Sequence, residues 1–450
     1  MRTNKILQRT LVFIGTLCTH FALAQQSYSL KEAVSYTIQN HASIRNAQLD
    51  ILTAASKVQE IKGIGLPQVN GNIGYMNNLV IQKMLVPAKT FNPAAPEDAV
   101  NAVEFGVPNN LQYGVGVSQL LFDGTYLLGL KAADVYKELS TKAIVKTKQE
   151  AAENVIKTYY SILVNQERIN IVKLNIARLD SSITNVKALN KQGFLEKIDV
   201  QRLEVTSNNI KMELNNFNRL LDLNYQLLKF HMGKKISDQI SIKDKLSDID
   251  IDKIALETAK MSNYEDRIEY SMLKTQMNLA ELDLKRNKVA VLPSVALTGN
   301  LGFNNGRQKF FDLFAKESFF AASIGIGAKI PIYDGNQRKN KEKQAQFAID
   351  KVKNGFEMLE NGIDLQVKQG EITLKNSIES LHEQKSNMAL AQEIVRVSKI
   401  KYQQGVGTNL ELVNAEISYK EAQTNYFTTL YNVLIAKVDL DKALGKLPTE

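Results

Sequence analysis

The spacing of hydrophobic positions along the chain changes several times, and the whole series of changes occurs twice. Between Ser29 and about Lys62, Leu30, Ala33, Val34 and Ile38, then Ile44, Ala47, Ile51 and Val58, fall at helical spacing behind a Ser29–Glu32 capping box. Asn40-His41 interrupts the pattern, and Gly63, Gly65 and Pro67 end it. The period then falls to two. Val69, Gly71, Ile73 and Tyr75 alternate with Gln68, Asn70, Asn72 and Gly74; further on, Leu111, Tyr113, Val115 and Val117 alternate with Gln112, Gly114, Gly116 and Ser118. Strands are predicted over about 67–76 and 111–122. The loop between them, roughly thirty residues with Pro87, Pro93, Pro96 and Pro108, has a length associated with function or disorder.

Phe122-Asp123-Gly124 stops the second strand, and a long helix is predicted over about 126–192. Val155, Ile162, Ile169, Ile176 and Ile183 fall seven apart, with Val172, Leu179 and Val186 at the matching d positions, a coiled-coil seam of about five heptads. At 1.5 Å per residue such a helix is roughly 100 Å long, more than a compact core requires. After Gly193 the chain returns as a shorter helix to about Met232, with Leu203, Ile210 and Phe217 interleaved with Leu214, Leu221 and Leu228. A polar connector over 234–253 follows.

The series then restarts. A helix from Ile254 to Asn287 ends at Leu292-Pro293, as the first ended at Leu66-Pro67. Val295, Leu297, Leu301 and Phe303, then Ile324, Ile326, Ala328 and Ile330, alternate with small or polar neighbours and predict strands over about 293–303 and 320–332. Tyr333-Asp334-Gly335 repeats Phe122-Asp123-Gly124 at an offset of 211. A second long helix, over about 336–404, carries Val367, Leu374, Leu381, Met388 and Val395, each 212 residues after its partner in the first seam. A helix through Tyr419, Tyr426, Val433 and Leu440 runs on to Gly445. The chain reads as two tandem repeats, residues 25–233 and 254–450, each helix, strand, strand, long helix, turn, helix.

Two turns punctuate the long helices. Asn190-Lys191-Gln192-Gly193 precedes Glu196, Asp199 and Leu203; Tyr402-Gln403-Gln404-Gly405 precedes Thr408, Glu411 and Ala415. Glycine accepts the left-handed backbone of a C-terminal cap, and Thr408 with Glu411 has capping-box spacing. Both turns predict tight reversals between antiparallel helices.

The N-terminus narrows the setting. Arg2, Lys5 and Arg9, apolar residues from Leu11 to Leu17, and Ala22-Leu23-Ala24 predict a secretory signal peptide over residues 1–24. Cys18, the only cysteine, falls inside it, so neither disulfide nor thiol chemistry is expected after processing. Loss of the three basic residues takes the formal charge from +9 to +6, too mild a balance for nucleic-acid binding. No later apolar stretch reaches the length of a spanning helix, which leaves a soluble exported protein or a membrane β-barrel. His41, His231 and His382 are scattered, and no H-E-x-x-H, P-loop, G-x-S-x-G or Cys/His cluster occurs. No catalytic residue, cofactor or metal site is therefore expected. The glycines at Gly114–Gly116 and Gly325–Gly327 lie inside strands, where they suit a lumen lining better than a phosphate cradle.

Four strands cannot close a membrane barrel, the smallest of which has eight. The barrel must be shared between chains, twelve strands from three or eight from two. Two helices of about 35 residues, end to end, match each long helix, so one chain supplies four helix-lengths and three supply twelve. The expected fold is mainly α with a membrane β-barrel: a trimeric 12-stranded barrel continued by a 12-helix α-barrel tunnel. The other reading is a secreted coiled-coil structural or adhesin protein without pore activity, which would not conduct ions.

The element order, the Leu-Pro strand entries, the Asp-Gly strand exits and the stretch from Tyr402 through Gly405, Thr408, Glu411, Leu412 and Ala415 to Leu444-Gly445 resemble the TolC family of outer-membrane efflux ducts. The resemblance covers essentially the whole chain beyond the signal. It implies a homotrimer in outer-membrane lipid, extending into the periplasm and docking through a periplasmic adaptor to an inner-membrane pump, in tripartite efflux or type I secretion. It also implies a tapered periplasmic end held shut by links between helix pairs and by acidic rings. Asp199 and Tyr402 fall where the family places one such link. Glu411 and Asn414 fall where acidic rings occur, and Gly407 where a basic partner occurs; only Glu411 keeps the acid. Threefold-related carboxylates would repel one another and attract cations; Glu411 serves equally as the partner in the helix cap. Gly193, Phe194, Gly405 and Val406, at the two turns, are candidates for the adaptor-docking tip.

Overall fold

A computed structural model describes residues 26–250 and 263–449; the expected signal peptide, with Cys18, and the helix start at Ile254 lie outside the described residues. The first half runs β1 (Gln26–Tyr28), α1 (Leu30–Asn40), α2 (Ala42–Ile64), β2 (Gln68–Asn77), β3 (Lys83–Pro87), β4 (Val100–Glu104), β5 (Asn109–Phe122), α3 (Gly124–Lys191) and α4 (Lys197–Met232). The second runs β6 (Ile240–Ile242), α5 (Ile268–Val289), β7 (Ser294–Arg307), α6 (Asp312–Ala315), β8 (Phe319–Lys329), α7 (Gln337–Gln403) and α8 (Asn409–Ala443). The chain divides into two compact units, one of Met1–Asp50, Ser140–Leu273 and Gly355–Glu450, the other of Ile51–Leu139 and Lys274–Asn354.

In the first, helical unit, Ser29 and Glu32 form the full capping box that opens α1. His41 breaks α1 from α2 with extended backbone (φ −66°, ψ 136°). The connector after α4 is less polar than its composition predicts: β6 pairs in parallel with β1, and Ile240 is buried. It closes a core in which Val155, Ile156, Tyr159 and Ile162 of α3 meet Leu228 and Met232 of α4 and Ala33, Val34 and Ile38 of α1. Farther along α3, the heptad residues Val172, Leu179, Ile183 and Val186 pack with Val200, Leu203 and Ile210 of α4. Leu374 and Leu381 of α7 pack with Phe427, Leu430, Val433 and Leu440 of α8. Each such side chain contributes about 1.5–3 kcal/mol by leaving water, which holds these elongated pairs together without one central core.

One ion cluster joins this packing. Glu153 accepts from Lys157 at 2.8 Å and pairs with Lys442 at 2.9 Å, while Lys157 reaches Asp439 at 2.6 Å. Burial works against the Glu153 carboxylate, but the bonds from Lys157 and then Lys442 outweigh it and hold its pKa below the usual value. A carboxyl depressed in the folded state adds stability above its unfolded pKa and loses it as pH falls through the folded one. Glu153→Gln is therefore expected to lower the thermal midpoint at neutral pH, by about 2 kcal/mol in stability. The gap between variant and parent should narrow below about pH 4, followed by helix circular dichroism.

The second unit is organised by one antiparallel sheet of order β2-β5-β7-β8. Its register sorts side chains into rows across the strands. One face carries Val69–Val117–Gly299–Ile324, Gly71–Val115–Leu301–Ala322 and Ile73–Tyr113–Phe303–Phe320. The other carries Asn70–Gly116–Asn300–Ser323 and Asn72–Gly114–Gly302–Ala321. The alternation thus becomes an apolar face and a face of amides, hydroxyls and small residues. Gly114 is required sterically as well: a Cβ there would lie 2.4 Å from the Leu301 carbonyl oxygen. The outer edges of β2 and β8 have no partner strand among the described residues. Four strands from one chain leave the sheet open. The long Pro-containing loop holds a hairpin of its own, β3 with β4, and β7 continues past Phe303 to Arg307.

Candidate functional site

The two turns between long helices have the same construction. At the first, Gly193 (φ 81°) donates to the Asn190 carbonyl at 3.0 Å and Phe194 to the Leu189 carbonyl at 3.0 Å. At the second, Gly405 (φ 73°) donates to Tyr402 at 3.1 Å and Val406 to Lys401 at 3.0 Å. Both are Schellman caps, which only a residue tolerant of positive φ closes without strain. The residue after each glycine projects outward: Phe194 is 74 % exposed and Val406 78 %. The four turn candidates thus comprise two rigid glycines and two exposed apolar tips.

The helix starts beyond the turns differ. Thr408 caps α8 by accepting from the Glu411 N–H at 3.2 Å. Glu196, its counterpart before α4, makes no side-chain cap. Only the hydroxyl half of the expected box forms at α8, unlike the reciprocal pair at Ser29, and Glu411 and Asn414 are exposed one turn apart on that helix. Glu411 is therefore not drawn into the cap.

Asp199 and Tyr402 are neighbours but not bonding partners. The Asp199 carboxylate accepts from the side-chain amide of Asn409 at 3.1 Å, and the same amide reaches the Asp199 carbonyl at 3.0 Å. Arg202 stands 4.0 Å from the carboxylate. Tyr402 leans on the apolar cluster of Val172, Leu179 and Val200, and its buried hydroxyl has no hydrogen-bond partner among the described residues. Burial, and then the nearby Asp199 charge, push the ionisation of Tyr402 up, so it stays a neutral phenol. Asn409, buried at the first turn of α8, is the residue sequence reasoning missed. The repeat gave no signal for it, since the matching position in the first copy, 212 residues earlier, is Lys197 rather than an amide.

Above this link, a polar seam joins α3 and α4 to α8. Asn175 and Gln423, both buried, are bonded at 2.7 Å, and Arg178 donates to Asn175 while lying 5.4 Å from the Tyr419 ring. Glu213 pairs with Lys420 at 2.5 Å. Arg168 stacks 5.8 Å over Phe217 and donates to Thr428 at 2.6 Å. Burial lowers the Arg168 pKa, with the Glu213 charge opposing that shift. Apolar heptads hold each helix pair together, and these directional polar contacts join the first pair to α8 beside apolar ones from Val164, Val413 and Val438.

Among the described residues, no group of three or more His, Cys, Asp or Glu side chains could hold a metal, and no helix is long and apolar enough to cross a membrane.

The "Outer membrane efflux protein" family model matches residues 267–446. The outer membrane protein TolC of Vibrio cholerae is 20 % identical over 447 residues, covering 97 % of this chain and 95 % of that protein. The toluene efflux pump outer membrane protein TtgC of Pseudomonas putida is 21 % identical over 358 residues, covering 78 % of this chain and 72 % of that protein. Among solved structures, the outer membrane protein VceC of Vibrio cholerae superposes with a TM-score of 0.71 at 14 % identity, covering 92 % of this chain and 96 % of that one.

Proposed function

The chain belongs to the TolC family of outer-membrane efflux proteins, and from that premise we propose that it is the outer-membrane duct of a tripartite efflux or type I secretion assembly. It is an outer-membrane efflux channel reaching into the periplasm, and its family is one of channels rather than enzymes. The observation that carries the finer reading is the sheet of the second unit. An apolar face backed by a small, polar one suits lipid on one side and water on the other. Open edges on β2 and β8 suit pairing between copies. In a homotrimer, β8 of one chain would pair with β2 of the next, giving twelve strands. The helix pairs of the two repeats would together give twelve helix-lengths of tunnel wall.

In this reading the turns form the periplasmic mouth. The Asp199–Asn409 bond joins the starts of α4 and α8 there, Tyr402 fills the space behind it, and the exposed Glu411 and Asn414 face the passage. Gly193, Phe194, Gly405 and Val406 present the tip to a periplasmic adaptor, which links the duct to an inner-membrane pump; the pump selects the cargo. Phe194→Cys and Val406→Cys test this in cells, because Cys18 is the only native cysteine and lies in the expected signal. Both are expected to give adducts with an adaptor after labelling with a maleimide-linked benzophenone and irradiation, which needs no thiol on the partner. Absence of an adduct at both positions overturns the docking role.

A further inference from the structure

We propose that the loop between β7 and β8 is a lipid-interface foot, folded back over the outward face of the sheet so that Phe311 and Phe314 enter the headgroup layer of the membrane. The inference rests on the reading of the sheet as part of a membrane barrel. Asn305 lies in the row Tyr75–Leu111–Asn305, one step beyond Ile73–Tyr113–Phe303–Phe320 and on the same apolar face. It is only 2 % exposed, because the loop covers it: its side-chain amide donates to the Leu313 carbonyl at 2.6 Å and reaches that of Lys316 at 3.3 Å. These bonds tie α6 to the apolar side. Leu313 is buried beneath it, and Phe310 meets the Tyr75 ring edge-on at 5.3 Å.

What the loop offers on its far side is unusual for an extramembrane connection. Phe311 is 81 % exposed and Phe314 70 % exposed, each ring edge-on to Phe310 at 5.5 and 5.6 Å. They stand beside the aromatic row, in which Tyr113 stacks on Phe303 at 5.4 Å and Phe303 meets Phe320 at 5.4 Å. Along β7 the outward residues from Val295 to Phe303 span about 26 Å, or about 20 Å of height at the tilt of barrel strands, most of the apolar band of a membrane barrel. Asn305 and α6 therefore fall just past the band, at the level of the headgroups. Arg307, Lys309 and Lys316 flank the two rings, and basic side chains beside aromatic ones suit that layer. A second copy is the less fitting occupant, since α6 packs over β5 and β7, the central pair of the sheet, and the free edges lie at β2 and β8.

The chain contains no tryptophan, so Phe311→Trp and Phe314→Trp each supply a single fluorescent probe in the full-length protein. The proteins would be reconstituted into phosphatidylcholine–phosphatidylglycerol vesicles with bromine near the headgroup end or near the tail end of the acyl chains. Both loop tryptophans are expected to emit at shortened wavelength and to lose about half their intensity to shallow bromine, with less loss to deep bromine. Ile324→Trp, in the middle of the apolar face, is expected to be quenched most by deep bromine. If Ile324→Trp is quenched but either loop tryptophan stays water-exposed and unquenched, the foot is overturned and the barrel reading stands. If Ile324→Trp is itself unquenched, the barrel reading fails and the foot fails with it.

Discussion

Replacing Asp199 and Asn409 together by alanine is expected to raise single-channel conductance in planar bilayers severalfold, whereas Tyr402→Phe is expected to leave it unchanged. The contrast follows from where the bonds are. The Asn409 amide makes two contacts to Asp199, at 3.0 and 3.1 Å, while the Tyr402 hydroxyl makes none among the described residues. A hydrogen bond to a charged group contributes about 1.5–3 kcal/mol, and the Asp199 side chain is 17 % exposed, so salt screens it less than a surface pair. Loss of about 2 kcal/mol per copy would shift a closed–open equilibrium by more than tenfold. Removing both partners leaves neither group buried and unpaired, so the helix starts should stay folded and the change should register in conductance rather than in trimer yield. Asp199→Ala alone would leave the Asn409 amide its bond to the main-chain carbonyl at 199, and so would loosen the link only in part. An unchanged conductance in the double variant, with trimers intact, would remove this bond from any role in closure.

How far these features were legible depends on whether a periodicity encodes them. Val172, Leu179, Ile183 and Val186 could be assigned from spacing alone, because a seam between two helices must repeat every seven residues, and all four are buried. The two sheet faces were legible for the same reason at period two. The end of β7 was not. Asn304, Asn305, Gly306 and Arg307 break the alternation, yet they pair with Gln112, Leu111, Asn110 and Asn109, and Asn305 is buried by a loop whose path no local pattern records. The polar seam was hidden for a related reason. Arg168, Asn175, Glu213, Lys420 and Gln423 are scattered over three helices, and only tertiary packing brings them together. The family resemblance puts Tyr402 in the link by position alone. Asn409 holds the bond instead, since a short side chain at the start of α8 reaches the first turn of α4 directly.

Two adjacent substitutions on β8 should have opposite outcomes, and the difference tests the sheet assignment most severely. Ile324 lies in the row Val69–Val117–Gly299–Ile324 of the apolar face; Ser323, one residue away, lies with Asn70, Gly116 and Asn300 on the other. Gly299 is midway between Val295 and Phe303 along β7, so Ile324 is near the middle of the apolar band. A lysine at that depth on a lipid-facing position costs about 2–4 kcal/mol, and each copy in an assembled barrel would bear that cost. Ile324→Lys is therefore expected to lower the amount of heat-modifiable oligomer recovered from the outer membrane by tenfold or more. Ser323→Lys sets the same charge against water, so oligomer yield should hold while reversal potentials in a salt gradient shift toward anions. Equal tolerance of both lysines would mean that neither face meets lipid. Loss of assembly with Ser323→Lys alone would mean that the two faces are exchanged.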